Sequence, residues 1–184
     1  MPTALPSLWS TPLAKNRTTL AELALFGILG ALTFGTKVVM AGLPNIEPVS
    51  LMVMLFAVTL GRKALYPIYT YVLLEFLLYG INLWSINYLY IWAVLAVAAW
   101  FLRKEEHPLA WALLSGGFGL LFGALCAPVD VAIGGIGYAV GRWISGIPFD
   151  LLHGAGNFVL ALALFTPLRR LMERQYQSMR SAHR

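Results

Sequence analysis

Apolar residues run along this chain in long blocks, broken by short polar or turn-forming stretches. The blocks cover 19–41, 49–60, 64–81, 90–102, 109–126 and 149–168. A helix needs about 20 apolar residues to cross a hydrocarbon layer of about 30 Å, so blocks of this kind predict membrane spans. The breaks carry turn signals: Pro44 and Pro48 bracket Asn45 and Glu47, and Gly61-Arg62-Lys63 makes a tight basic turn. Pro48 and Pro67 fall in first helical turns, where a missing N–H is tolerated.

One segment fits neither pattern. Residues 127–145 hold Pro128, Asp130, Gly134, Gly135, Gly137, Gly141, Arg142 and Trp143. The segment is too rich in glycine for a regular span and too apolar for a solvated loop. It predicts a structured outer loop or re-entrant segment, permitted at membrane depth only where protein or a cavity surrounds it.

The expected fold is therefore an all-α integral membrane protein of six transmembrane helices. Residues 1–18 form a cytoplasmic arm, 19–170 the six-helix substrate-binding domain and 171–184 a basic cytoplasmic tail. Composition agrees: 59% of the 184 residues are hydrophobic and 11% charged, against about 25% charged in soluble domains. The net charge of +5 is no nucleic-acid signature. Lys15, Arg17, Arg62, Lys63, Arg103, Lys104 and five tail arginines fall on one side of a six-span layout, leaving only Lys37 and Arg142 opposite. The positive-inside rule then sets both termini in the cytoplasm of a prokaryotic cell membrane. The single cysteine, Cys126, makes no disulfide framework.

The same layout sorts the unusual polar residues to the outer half: Lys37, Asn45, Glu47, Glu75, Asn82, Trp84, Asn87, Tyr88, Asp130, Arg142, Asp150, His153 and Asn157. Ionisable groups inside a span are expensive and mark function by default. Asp150, His153 and Asn157 follow one another at three and four residues, which puts them on one helical face. The inner half reads as almost purely aliphatic above its basic rim. The pattern suggests an outward-opening cup closed below. Each residue also has a plainer reading. Asp150 is a candidate helix cap, His153 a satisfied interior histidine, and Arg142 a clasp partner for Asp130 or Glu47. Trp84, Tyr88 and Trp143 are candidate interfacial anchors.

Catalytic signatures are missing. The chain has no Gly-x-x-x-x-Gly-Lys-Ser/Thr loop, no His-Glu-x-x-His and no Gly-x-Ser-x-Gly. The run from Gly135 to Gly141 has the wrong spacing for a dinucleotide loop. The chain is not expected to be an enzyme or to hold a metal or cofactor.

Gly27, Ala31 and Gly35 form a ladder of small residues along the first block, the kind of surface on which helices approach closely in lipid. This ladder, the Leu43-Pro44-Asn45-Ile46-Glu47-Pro48-Val49 loop and the Phe149–Asn157 entry to the last span, with Pro167 closing it, carry a resemblance. The chain resembles the S component, the substrate-binding membrane subunit, of energy-coupling factor (ECF) vitamin transporters. The likeness spans most of residues 19–170. It implies capture of a vitamin in an outward-facing pocket, cobalamin being the first candidate and pantothenate, riboflavin and folate the others. It also implies docking through Gly27, Ala31 and Gly35 onto a transmembrane coupling subunit driven by two cytoplasmic ATPase subunits, which use the ATP. The competing expectation is a stand-alone proton-coupled transporter, with Glu75 as the proton carrier.

Overall fold

The computed structural model describes residues 18–42 and 46–182; their regular structure is all helical, with no strand among them. The helices are α1 (Leu20–Val39), α2 (Val49–Leu60), α3 (Leu65–Tyr79), α4 (Leu83–Phe101), α5 (Pro108–Leu120) and α6 (Phe122–Ala182). A 3₁₀ turn, Gly61–Ala64, joins α2 to α3. Four stretches are long and apolar enough to cross a membrane: Leu20–Val39, Val49–Tyr79, Leu83–Phe101 and Pro108–Ser181. The second and fourth fold back on themselves. Lys63 meets Glu22 at the start of α1, whereas Glu75 meets Lys37 near its end. So α2 and α3 run in opposite directions between two ends of the bundle.

Helix α2 is the hub. Its sequence is apolar on every side, as a fully enclosed helix requires. Val49, Met54, Leu55 and Phe56 are completely buried there. In lipid the gain comes from close packing rather than escape from water, because hydrocarbon is as apolar as leucine. Apolar side chains of α1 point outward instead: Leu20, Ile28 and Val39 are exposed, as a lipid-facing surface needs.

Helix α4 begins at Leu83, seven residues before the apolar block that starts at residue 90. Asn82 explains this. Its side chain accepts hydrogen bonds from the Trp84 and Ser85 amides at 2.9 and 3.1 Å, and Ser85 Oγ accepts from the Asn82 amide at 2.8 Å. That reciprocal cap satisfies donors that would otherwise be orphaned at the helix start.

Residues 127–145 also differ from expectation, being neither an open loop nor re-entrant coil. They are helical except at Gly135, whose φ of 79° and ψ of 179° break α6 into two arms. Only glycine occupies that region without a steric cost. The two arms pack antiparallel, with α5 continuing the first. A Cβ on Gly119 would meet Gly154 Cα at 2.8 Å, and one on Gly116 would meet Phe158 Cβ at 3.1 Å. The glycines that argued against a helix are the surface on which this hairpin closes.

The end carrying the basic residues is tightly closed. Arg169 donates to the Glu105 and Arg103 carbonyls at 2.8 and 3.1 Å. Glu105 Oε1 accepts from the Glu106 and His107 amides, which lowers its carboxyl below the ordinary value. Lys63 lies 2.7 Å from the Glu22 carboxylate, and Tyr176 donates to Glu22 Oε1 at 2.8 Å. Two expectations need revision here. Residues 171–182 are not a separate tail, because α6 continues through them and Tyr176 packs into the base. Nor is this half almost purely aliphatic, since Glu22 is only 4% exposed and Trp111 stacks on Phe165 at 4.1 Å.

Candidate ligand-binding cavity

At the opposite end a cavity of about 510 Å³ opens between α1, the segment before α2, α4 and the α6 hairpin. This lies within the few-hundred to thousand Å³ typical of small-molecule sites. Below it the rings of Tyr88, Trp92, Phe118 and Phe122 pack together as a floor, with Trp92 5.3 Å from Tyr88 and 5.8 Å from Phe118. Tyr88 and Phe122 line the cavity itself. Trp92 and Phe118 sit one helical turn deeper, so the aromatic layer separates the cavity from the bundle core.

Lys37 dominates one wall. It sits in the last turn of α1, and its ammonium lies 3.0 Å from Glu75 Oε1 and 3.7 Å from Glu47 Oε2. It also donates to the hydroxyls of Tyr71 and Tyr88, both at 3.3 Å. Its charge lies 5.0 Å from the centre of the Tyr88 ring. One lysine is thus shared by two carboxylates and two phenols, in surroundings where an isolated charge would be prohibitive.

The hairpin supplies the other wall. Asp150 Oδ1 and Oδ2 accept the Gly123 amide at 3.1 and 3.2 Å. That amide belongs to the first turn of α6, so Asp150 caps the start of its own helix from across the hairpin. Arg142 Nε lies 3.3 Å from Asp130 Oδ1, and its guanidinium rests 5.4 Å from the centre of the Trp84 ring on α4. Arg142 therefore ties the hairpin to the far side of the mouth. His153 packs edge-on against Phe122 at 4.9 Å and is 4% exposed, with no hydrogen-bond partner at Nε2 among the described residues.

Of the residues expected to bind substrate, the structure gathers Lys37, Glu47, Trp84, Tyr88, Asp130, Arg142, Asp150 and His153 around this cavity. Glu75 and Asn82 line a smaller neighbouring space of about 260 Å³ that shares Lys37, Trp84 and Tyr88 with it. Asn87 and Asn157 line neither. Asn87 accepts from Tyr90 and donates to the Leu83 carbonyl. Asn157 donates to Ser50 Oγ at 2.9 Å and reaches the Ser115 carbonyl at 3.4 Å, which knits α6 to α2 and α5. Asn45 lies outside the described residues. Tyr71, Trp143 and Phe149 join the site or its supports without having been expected there as ligand contacts. Tyr71 in particular is hidden in an apolar block, and only its distance of four residues from Glu75 connects it to the site.

The first-block ladder divides differently. Gly30, not a member of it, faces α3: a Cβ there would meet Thr70 Cβ at 2.6 Å and the Pro67 carbonyl at 2.8 Å. Gly27 and Gly35 have nothing within 4 Å of a Cβ position, and Ala31 is exposed. The ladder points out of the bundle. No family model, curated protein or solved structure matches this chain.

Proposed function

We propose that this chain is the substrate-binding S component of an ECF-type importer. In this reading it crosses the membrane six times with both termini in the cytoplasm, because α2 and α3, like the two sides of the hairpin, run in opposite directions. The cavity faces outward and receives a vitamin, with cobalamin the first candidate. Gly27, Ala31 and Gly35 form the face that docks on the coupling subunit, and the partner ATPases supply the energy.

One observation supports the reading above all: a cavity with polar walls occupies one end of the bundle, over a packed aromatic floor. At the opposite end Glu22 is paired with Lys63 and the Tyr176 hydroxyl, and Arg169 with Glu173 and two backbone carbonyls. A protein that captures cargo and hands it over by moving as a body needs a closed cup, whereas a channel needs a polar lining along its whole length. The stand-alone transporter is less well supported, because the carboxylate expected to carry protons, Glu75, is held by Lys37 at 3.0 Å.

The test is mass spectrometry of the small molecule that co-purifies with the protein in mild detergent. A single vitamin at near-stoichiometric amount is the expected result. Uptake of a vitamin by proteoliposomes holding this chain alone, driven by a proton gradient, would overturn the proposal.

A further inference from the structure

Acids outnumber cations around the cavity. Glu47, Asp130 and Asp150 line it and Glu75 lines the adjoining space, against Lys37 and Arg142 alone. Both cations are committed, Lys37 to Glu75 and Glu47 and Arg142 to Asp130. Asp150 is met by a backbone amide rather than a side-chain cation. Four carboxylates less two cations leave a formal charge of −2. A ligand with a net negative charge, as from an uncompensated carboxylate or phosphate, would add to that excess and find no uncommitted cation among the described residues, and the weakly polar surroundings sharpen the repulsion.

A second observation is independent of the charge count. His153 is a cavity-lining residue, 4% exposed, and its Nε2 has no hydrogen-bond partner among the described residues. Buried polar atoms are nearly always paired, so an unpaired one on a cavity wall marks a position for a ligand's polar group. Imidazole accepts or donates at that nitrogen according to its tautomer. Trp84, Trp143 and Phe149 supply apolar and aromatic surface around it.

We infer that the cargo carries no net negative charge and presents N–H or O–H donors, which the cavity carboxylates accept while His153 meets a further polar group. This rests on the reading of the cavity as a cargo site. It selects among vitamins by chemistry: a neutral amide-rich or cationic molecule fits, and one that binds through a carboxylate does not.

Calorimetric titration of the detergent-purified protein, freed of co-purified small molecules, tests it. The probes are cyanocobalamin, riboflavin and thiamine on one side and pantothenate and folate on the other. The expected result is binding of at least one probe from the first group, with the second group weaker by about 100-fold or more. Glu47→Gln, nearly isosteric, should weaken the bound probe by about tenfold, and His153→Gln gives a second reading should Glu47→Gln fold poorly. Tight binding of pantothenate or folate, or tighter binding by Glu47→Gln, would overturn the inference and leave the S-component reading standing. Silence from every probe would remove both.

Discussion

Helix α1 carries one charged cluster near each end, built from the same parts. At its start Glu22 meets Lys63 and the Tyr176 hydroxyl. Near its end Lys37 meets Glu75, Glu47 and the hydroxyls of Tyr71 and Tyr88. The stoichiometry differs. The first cluster pairs one acid with one base, adds the Thr19 cap, and closes. The second spreads one base over two acids and opens onto a cavity. A balanced cluster has nothing left to offer a ligand; an unbalanced one beside an empty space has. Similar chemistry thus forms a closed clasp at one end and the wall of a cavity at the other.

The same substitution at the two lysines measures that difference. Lys63→Met leaves Glu22 buried without its cation, and breaking a buried pair from one side costs about 3–5 kcal/mol. The expected outcome is a large fall in the midpoint of thermal unfolding in detergent, with ligand affinity unchanged in the protein that remains folded. Lys37→Met takes the cation from Glu75, which is as buried as Glu22, and from Glu47 as well, so a loss of stability of similar size is expected. Its partner Glu47 also lines the cavity, so this variant carries a second effect that Lys63→Met does not. Ligand affinity should change by about tenfold or more, because Glu47 loses the cation that holds it at the cavity wall. Unchanged affinity in Lys37→Met, or an equal change of affinity in Lys63→Met, would erase the distinction between clasp and cavity wall.

Packing glycines give a third measure along the same helix. Gly30→Ala puts a methyl group against the Pro67 carbonyl and Thr70, at 2.8 and 2.6 Å before any relaxation. The backbone carbonyl cannot swing away as a side chain would, so α1 must shift from α3. Overpacking of this kind costs about 1–3 kcal/mol, and the same thermal measurement reads it. A stability equal to wild type would mean that α1 and α3 are less closely set than these distances require.

How far the sequence revealed all this varies by element. Helix α2 was legible to the residue, because an unbroken apolar run sits between Pro48 and Gly61. The start of α4 was not, because Asn82 and Ser85 look like loop residues until their reciprocal hydrogen bonds are seen. Glycines at 116, 119, 134, 135 and 154 have one appearance in sequence and two roles in space: most allow close packing, and Gly135 turns the chain. In the cavity, Lys37, Glu47 and Glu75 stood out because charge is rare in such blocks. Asn157 shares a helical face with His153 but lies deeper, against Ser50, and periodicity gives a face without saying what meets it at each level. Glu22 was missed although Thr19-x-x-Glu22 has the spacing of a capping box. Its pairing with Lys63 and Tyr176 joins residues far apart in the chain, which no local pattern displays.

The smallest expected effect concerns the outward ladder. Ala31 sits on the face of α1 that Gly30 does not occupy, and the neighbouring Gly27 and Gly35 have open space around their Cβ positions. A leucine there meets nothing within the bundle, so Ala31→Leu should leave stability within about 0.5 kcal/mol of wild type. Ligand affinity should also be unchanged, because this face is remote from the cavity walls. If the ladder docks on a coupling subunit, however, the added bulk separates two closely approaching helices. Co-purification with the coupling subunit and its ATPases should then fall sharply while vitamin binding by the isolated chain persists. That split separates the two roles of α1: Gly30→Ala should harm the bundle, and Ala31→Leu only the assembly. Loss of stability in Ala31→Leu would instead return the ladder to bundle packing, and intact assembly would place the docking face on another helix.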